Sequence, residues 1–456
     1  MHSIAYLSAS VLWLLAAALP AALADLPKPN VVLIMADDMG YGDPGCYGSK
    51  VHRTPNIDRL ATEGTLFTDY YAAANVCTPT RAALMTGTYH RRNQMHFGVT
   101  NPWGVLAPVS PKGLHPDEIT VAELLKRQGY ATACIGKWHL GDQPEFLPTL
   151  QGFDFYYGIP YSNDMGQRKG KAWPPLPLMR DTQVIDAPVN QSTLTPRYTE
   201  QALAFIEKHR GEPFFLYLPH TFPHVPLHAS DQFRGKSKNG RYGDTIEEID
   251  WSTGQILEKL ASLDLDDNTL VIFTSDNGAE VRQAGSNEPL RGRKGSVWEG
   301  GHRVPCLMRW PGRVPAGRVC RKMVTCMDML PTLALLAGAE PPDDRTIDGH
   351  DIRPLIFGKS GAESPYQAFY YLARHRGSIQ AVRSGPWKLH LKPRQLYNLR
   401  DDVGEQNNVA AEHPDIVARL LALAEEQEQD FQQDQRPAGH VDNPQPVTAQ
   451  TIPLGK

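Results

Sequence analysis

Apolar residues along this chain gather in short unbroken runs that end in polar clusters. Between the runs they recur every three or four positions. PNVVLIMADD, Pro29 to Asp38, is a continuous apolar stretch stopped by two acids. Such a run predicts a strand buried on both faces. NTLVIFTSDNG, Asn268 to Gly278, repeats the design, with Asp276, Asn277 and a glycine at its end. EPFFLYLPHTFPH, Glu212 to His224, is a third strand, and GYATACIGKWHLG, Gly129 to Gly141, a shorter fourth. Helical periodicity marks the segments from Thr54 to Thr65, Thr120 to Gly129, Tyr198 to Gly211 and Asp244 to Asp264. This alternation predicts an α/β fold: a large mixed, mainly parallel sheet flanked by helices.

The pattern changes near Pro365. QAFYYLA, SIQAVRSGPWKLHL and RQLYNLRDD read as short strands and turns, and an amphipathic helix follows from His413 to Gln432. A smaller C-terminal α+β domain over 365–456 is predicted, packed on a catalytic domain over 25–364. The Gln/Pro-rich tail after Gln433 reads as loosely ordered. At the other end, Val11 to Ala24 is apolar, too short to span a bilayer comfortably, and closes on Ala22-Leu23-Ala24. Residues 1–24 are therefore expected to be a signal peptide cut before Asp25, giving a periplasmic or secreted protein with no stable transmembrane span.

The 456 residues, 21% charged and 41% hydrophobic, have ordinary globular composition. A net charge of −4 offers no basic surface for nucleic acid. Six cysteines are too dispersed for a small disulfide scaffold, and only Cys320 and Cys326 are close enough in sequence to suggest a pair.

In open α/β sheets, ligands bind beyond the carboxyl ends of the strands. Here those ends carry Asp37 and Asp38, Lys137 and His139, His224, and Asp276 and Asn277. Asp37, Asp38, Asp276 and Asn277 are hard oxygen donors, suited to Ca²⁺ or Mg²⁺ rather than Zn²⁺. Adjacent acids can share an ion only where the strand has ended, and Gly40 and Gly278 supply that break. Lys137 and His139, two apart, would share a face if their strand continued. Lys294 lies in GRKGSVWEGGHRVP, where glycines permit close approach to a ligand. Alone, each of these pairs reads as a turn or a solvated edge; together they describe an anion-binding acid–base site.

Cys77 begins the segment CTPTRAALMTG. Pro79 and the helix formers after it predict a helix starting there, with Cys77 at its positive end. A cysteine phosphatase loop is excluded, because it needs five residues between cysteine and arginine and only three separate Cys77 from Arg81. The segment resembles the C-x-P-x-R signature of type I sulfatases. ADDMGYGD, TPNIDRLATEG, GKWHLG, QGFDFYYGIPYSND, SDNG and GRKGSVWEGGHRVP have counterparts in that family, in family order, and GIPYSND and GYATACIGKWHLG resemble its arylsulfatase A-like branch.

The resemblance implies the alkaline phosphatase-like sulfatase fold and hydrolysis of sulfate esters. It implies that a separate maturation enzyme oxidises Cys77 to Cα-formylglycine, whose hydrate attacks sulfur. Asp37, Asp38, Asp276 and Asn277, with the Cys77-derived group, resemble the ligands of one Ca²⁺, with Mg²⁺ as the alternative. Arg81 and Lys137 would hold the formylglycine, and His139 would assist release of sulfate. His224 and Lys294 would grip the sulfate and the leaving oxygen, and Ser162 would contact substrate, expected to be a sulfated carbohydrate. The run from Pro102 to Leu114 departs from the family near the expected site mouth, so substrate identity does not carry over. Two other readings are a phosphatase or phosphodiesterase of the same superfamily, against which Cys77 and the oxygen-only donor set argue, and a non-catalytic sulfoglycan-binding relative, against which the complete constellation argues.

Overall fold

The computed structural model describes residues 28–96, 104–167, 170–171, 173–373 and 377–448. The segment read as a signal peptide lies outside them. Ten strands form one mixed sheet: β1 (Asn30–Ala36), β2 (Thr65–Phe67), β3 (Ala131–Ile135), β4 (Phe155–Gly158), β5 (Leu178–Arg180), β6 (Gln183–Asp186), β7 (Phe214–Pro219), β8 (Thr269–Ser275), β9 (Cys306–Arg309) and β10 (Arg318–Cys320). Their order across the sheet is β10-β2-β9-β8-β1-β7-β3-β4-β5-β6. The centre, β8-β1-β7-β3-β4, is parallel throughout.

The unbroken apolar run of β1 follows from its place in that centre. Val31, Leu33 and Met35 join one hydrophobic core, while Val32, Ile34 and Ala36 join the other. The first core is closed by helices α2 (Cys77–Thr86) and α3 (Val121–Arg127) and by the helix Met329–Ala337. The second is closed by α1 (Pro55–Thr62), α4 (Leu194–Lys208) and α5 (Gly240–Ser262). Thr120 and Glu123 start α3 with a reciprocal capping box.

Phe369–Leu372, Ile379–Ser384, Trp387–His390 and Gln395–Asn398 make a four-stranded antiparallel sheet. The helix Pro414–Gln433 packs on it through Leu420, Leu423, Ala424 and Phe431. A buried ionic cluster ties this sheet to the main one. Lys388 Nζ bridges Glu299 (3.0 Å) and Glu405 (2.9 Å), and all three side chains are sealed from solvent. Glu299 also accepts from the hydroxyls of Tyr71 and Tyr371, and its backbone N–H donates to Glu405.

Two expectations fail. The tail is packed through its described part: Gly439 and His440 pair with Gly113 and Lys112, and Val447 is buried. Its polar composition hid the backbone pairing. Cys320 and Cys326 are not joined, and all six cysteines are free. Cys320 closes β10, whereas Cys326 opens a 3₁₀ turn and its sulfur accepts the Ala73 N–H at 3.3 Å.

Where β7, β3 and β4 end, their backbones crowd together. A Cβ on Gly136 would stand 1.9 Å from the Pro219 carbonyl oxygen, at a φ of +137° that L side chains rarely adopt. Gly136→Ala is expected to cost about 3 kcal/mol or more. The check is the thermal unfolding midpoint; an unchanged midpoint would contradict the close approach.

Candidate active site

The site assembles at the carboxyl edge of the central strands. β1 stops at Ala36, and Asp37 and Asp38 lie in the turn beyond, with Asp38 at φ 69°. The left-handed residue breaks the strand alternation, so two consecutive carboxylates turn to one place. β8 stops at Ser275 in register with Ala36, which brings Asp276 and Asn277 alongside. The Asp38 N–H donates to Asp276 Oδ1 at 3.1 Å, and Asn277 Nδ2 to Asp38 Oδ1 at 2.7 Å.

Cys77 is the first residue of α2, after an extended Val76, and Gly87 ends the helix in a left-handed conformation. Pro79 is tolerated in the first turn, where backbone N–H groups lack helical partners anyway. Ligand atoms of Asp37, Asp38, Cys77 and Asp276 lie within 4.8 Å of one another; those of Asp38, Cys77 and His224 form an overlapping group. The acidic cluster fits a metal ion by its chemistry: three hard carboxylates converge, and the neighbouring Asn277 Oδ1 is buried with no partner among the described residues.

Three cations face these carboxylates. Arg81 donates Nε and an η nitrogen to Asp276 Oδ2 (3.2 and 2.9 Å) and its other η nitrogen to the Lys137 carbonyl (2.8 Å). Lys137 Nζ meets Asp37 Oδ2 at 2.5 Å and Ser162 Oγ at 3.3 Å. Lys294 Nζ meets Asp38 at 2.7 Å and Cys77 Sγ at 3.6 Å. Burial opposes charge on every one of these groups, and the mutual attraction overcomes it. Asp37 is held below the usual carboxylate range by Lys137 first, and Asp38 by Lys294. Lys294 is held above the usual amine range by Asp38. Asp276 is the exception, pushed up by burial and by Asp37. The Cys77 thiol is pushed well up, by burial first and then by Asp276 and Asp37.

Lys137 and His139 do not share a strand face, because β3 ends at Ile135. They reach the site on a loop anchored strand by strand: the Lys137 N–H donates to Pro219 O, the Trp138 N–H to Ile159 O and the His139 N–H to Pro160 O. His139 Nε2 lies 2.9 Å from the Leu106 carbonyl, which only accepts, so Nε2 carries the proton. Its Nδ1 is buried without a partner among the described residues, and burial, then Lys137, holds the ring neutral. Leu106 belongs to the run that departs from the family, which thus touches the site; residues 102–103 of that run lie outside the described ones. His224 Nδ1 lies against two acceptors, Asn163 Oδ1 (3.1 Å) and Val225 O (2.6 Å), leaving Nε2 facing Asp38 at 3.8 Å.

All eleven residues singled out from the sequence are brought together here. Asn163 and the Leu106 carbonyl were missed. Asn163 adjoins Ser162 in PYSND, a signal that was available; a backbone carbonyl leaves none. Backbone bonds also fix the Lys294 loop, since the Lys294 N–H donates to Ala279 O and the Gly295 N–H to Asn75 O, two residues past Asn277 and two before Cys77.

This architecture has known counterparts. The sulfatase family model matches residues 29–339, and the model described as N-sulphoglucosamine sulphohydrolase, C-terminal, matches residues 293–430. N-acetylgalactosamine-6-sulfatase of Canis lupus familiaris is 42% identical over 83% of this chain and 74% of its own. Steryl-sulfatase of Homo sapiens is 39% identical over 79% and 74%. The crystal structure of Ps i-CgsB, 33% identical, superposes with a TM-score of 0.79 over 90% of this chain and 94% of that one. The chain belongs to the sulfatase family, enzymes that hydrolyse sulfate esters. No helix of the described residues is long and apolar enough to cross a membrane.

Removing Arg81 would leave buried Asp276 and Asp37 short of a cation. Arg81→Met, close in volume, is expected to destabilise the fold by about 3–5 kcal/mol. Denaturant unfolding measures this; a variant as stable as the parent would show that the carboxylates need no such partner.

Proposed function

We propose that this sulfatase acts on a sulfated carbohydrate through a formylglycine made from Cys77, beside one calcium ion held by Asp37, Asp38, Asp276, Asn277 and the residue-77 side chain. The observation that carries this reading is the mismatch between Cys77 and its surroundings. A thiol enclosed by carboxylates stays protonated, which makes it a poor nucleophile, and sulfur is a soft donor among hard oxygens. An oxygen-bearing side chain at this position removes both conflicts. Arg81 and Pro79 lie within the stretch that a maturation enzyme would read.

Formylglycine, once hydrated, supplies two hydroxyls on one carbon, one to take the sulfuryl group and one to let it go. Calcium held by those residues would supply positive charge to the sulfate group. The chain's own groups do the rest. Three carboxylates and three cations nearly balance, so one added dication makes the site attractive to an anion. Lys294, between Asp38 and residue 77, is positioned to hold a sulfate oxygen. His224, oriented by Asn163, presents Nε2 to the same space, and either group can deliver a proton to the departing alkoxide. His139, neutral with a vacant Nδ1 lone pair, can accept a proton when sulfate is released. Lys137 restrains Asp37 and Ser162, and Ser162 lies where substrate would contact it. The balance is a sulfate ester plus water giving an alcohol and sulfate.

A carbohydrate substrate agrees with the amino-sugar named for the relative and with the k-i-k-neocarrahexaose found in a second Ps i-CgsB structure. Export through the predicted signal peptide would place the enzyme in the periplasm or outside the cell.

Assay of matured protein with aryl sulfate and aryl phosphate, with mass spectrometry of the peptide containing residue 77, tests the reading. Sulfate turnover and formylglycine are expected; phosphate turnover alone, or an active enzyme bearing only cysteine, would refute it. Cys77→Ala should lower turnover by about 10⁴-fold or more, the scale of losing a covalent nucleophile, with the fold retained. Prolonged dialysis against chelator should depress activity until calcium is restored, and full activity in metal-free protein would exclude the ion.

A further inference from the structure

A second charged cleft opens on the same edge of the sheet. β9 runs antiparallel to both β8 and β2, and β10 runs parallel to β2. The ends of β1, β8, β2 and β10 therefore face one way. β2 and β10 lie three and four strands from β1, about 14 and 19 Å at a spacing of about 4.8 Å per strand. Beyond them lies a cavity of about 680 Å³ between this edge and the C-terminal sheet. Tyr41, three residues past Asp38, reaches its wall.

Charge in this cleft is arranged in two layers. Behind it, Arg303, Arg383 and Lys388 balance Asp69, Glu299 and Glu405, with Asp69 taking Arg303 at 2.9 Å and Arg383 at 2.7 Å. The rim does not balance. Arg321, Lys322 and Arg400 meet one carboxylate, Glu363, which Lys322 already engages at 2.5 Å. Arg321 and Arg400 are exposed, and their guanidinium groups have no hydrogen-bond or ion-pair partner among the described residues. On a chain of net charge −4 this is a local excess of positive charge, made of the side chain best shaped for a tetrahedral oxyanion. The volume suits a sugar-sized group, and the three to four strands between the end of β1 and this cleft suit an oligosaccharide rather than one sugar.

We infer that the cleft lined by Arg321, Lys322 and Arg400 is a distal subsite for a second sulfate group on a polysulfated oligosaccharide whose scissile ester lies at Cys77. The inference rests on the proposed carbohydrate function. The subsite would raise affinity for multiply sulfated chains and leave small esters, which cannot span the distance, unaffected.

The test compares the matured enzyme with R321Q/R400Q and with R127Q/K208Q, which removes two exposed charges from the opposite edge. Isothermal titration with sulfated maltohexaose and with unmodified maltohexaose gives Kd at low and high salt, and 4-nitrophenyl sulfate gives kcat/KM. For R321Q/R400Q, Kd for the sulfated hexaose should rise at least about fivefold, roughly 1 kcal/mol, and the effect should shrink with salt. kcat/KM on the small ester should stay within about twofold, since surface charges far from the reacting atoms contribute little there. Sulfated hexaose that fails to bind the parent enzyme, binds R321Q/R400Q as tightly as the parent, or weakens equally in R127Q/K208Q overturns the subsite. Absent turnover of the small ester by the parent would instead refute the proposed catalysis, and the Kd comparison would still be readable.

Discussion

Asp37, Asp38 and Asp276 would repel one another in a space this small if nothing stood against them. Lys137, Lys294 and Arg81 each take one of the three, and the remaining geometry follows from that pairing. Lys137 can reach Asp37 only because β3 breaks at Gly136 and the chain passes under the Pro219 carbonyl. Lys294 can reach Asp38 only because its loop is hydrogen-bonded on one side to the turn after β8 and on the other to the turn before α2. Arg81 reaches back across α2 from the residue four past Cys77, so the helix that presents Cys77 also supplies the counter-charge for its neighbours. Buried ion pairs add little net stability when complete, yet losing one member is costly. The arrangement is therefore tightly specified.

Much of this was readable from the chain. The central strands announced themselves as apolar runs, because a parallel strand with helices on both sides has no polar face. The acids after β1 and β8 were legible as a repeated pattern, and the register of those two strands explains why they meet. What escaped was everything that depends on how backbones approach each other. Lys137 and His139 would share a face only if their strand continued, and it stops at Ile135, before a glycine that only a neighbouring carbonyl explains. The link between the tail and Lys112-Gly113 is made by main-chain atoms, so its side chains gave no sign of it. Spacing alone suggested Cys320 and Cys326 as partners, and spacing says nothing of where each sulfur points.

The family relationship and the geometry bear on different questions. Similarity to N-acetylgalactosamine-6-sulfatase and to steryl-sulfatase alike shows how broad a range of alcohols relatives of this chain release. The carboxylate–cation cluster is concerned with the sulfate. It leaves open what the sulfate is attached to; the Leu106 segment, which touches His139, and the arginine-rimmed cleft lie beyond it.

The ionic cluster of Glu299, Lys388 and Glu405 has a bearing on how this enzyme could be shortened or recombined. Glu299 follows Lys294 by five residues, and it is fastened to Lys388 and Glu405, 89 and 106 positions later. A chain ending before the second sheet would keep Cys77 and every residue gathered around it, lose Arg400 from the cleft, and strand a buried carboxylate beneath the loop carrying Lys294. The carboxyl-terminal portion is thus the foundation of that loop rather than an appendage, and exchanging it between relatives would succeed only where lysine and glutamate travel together.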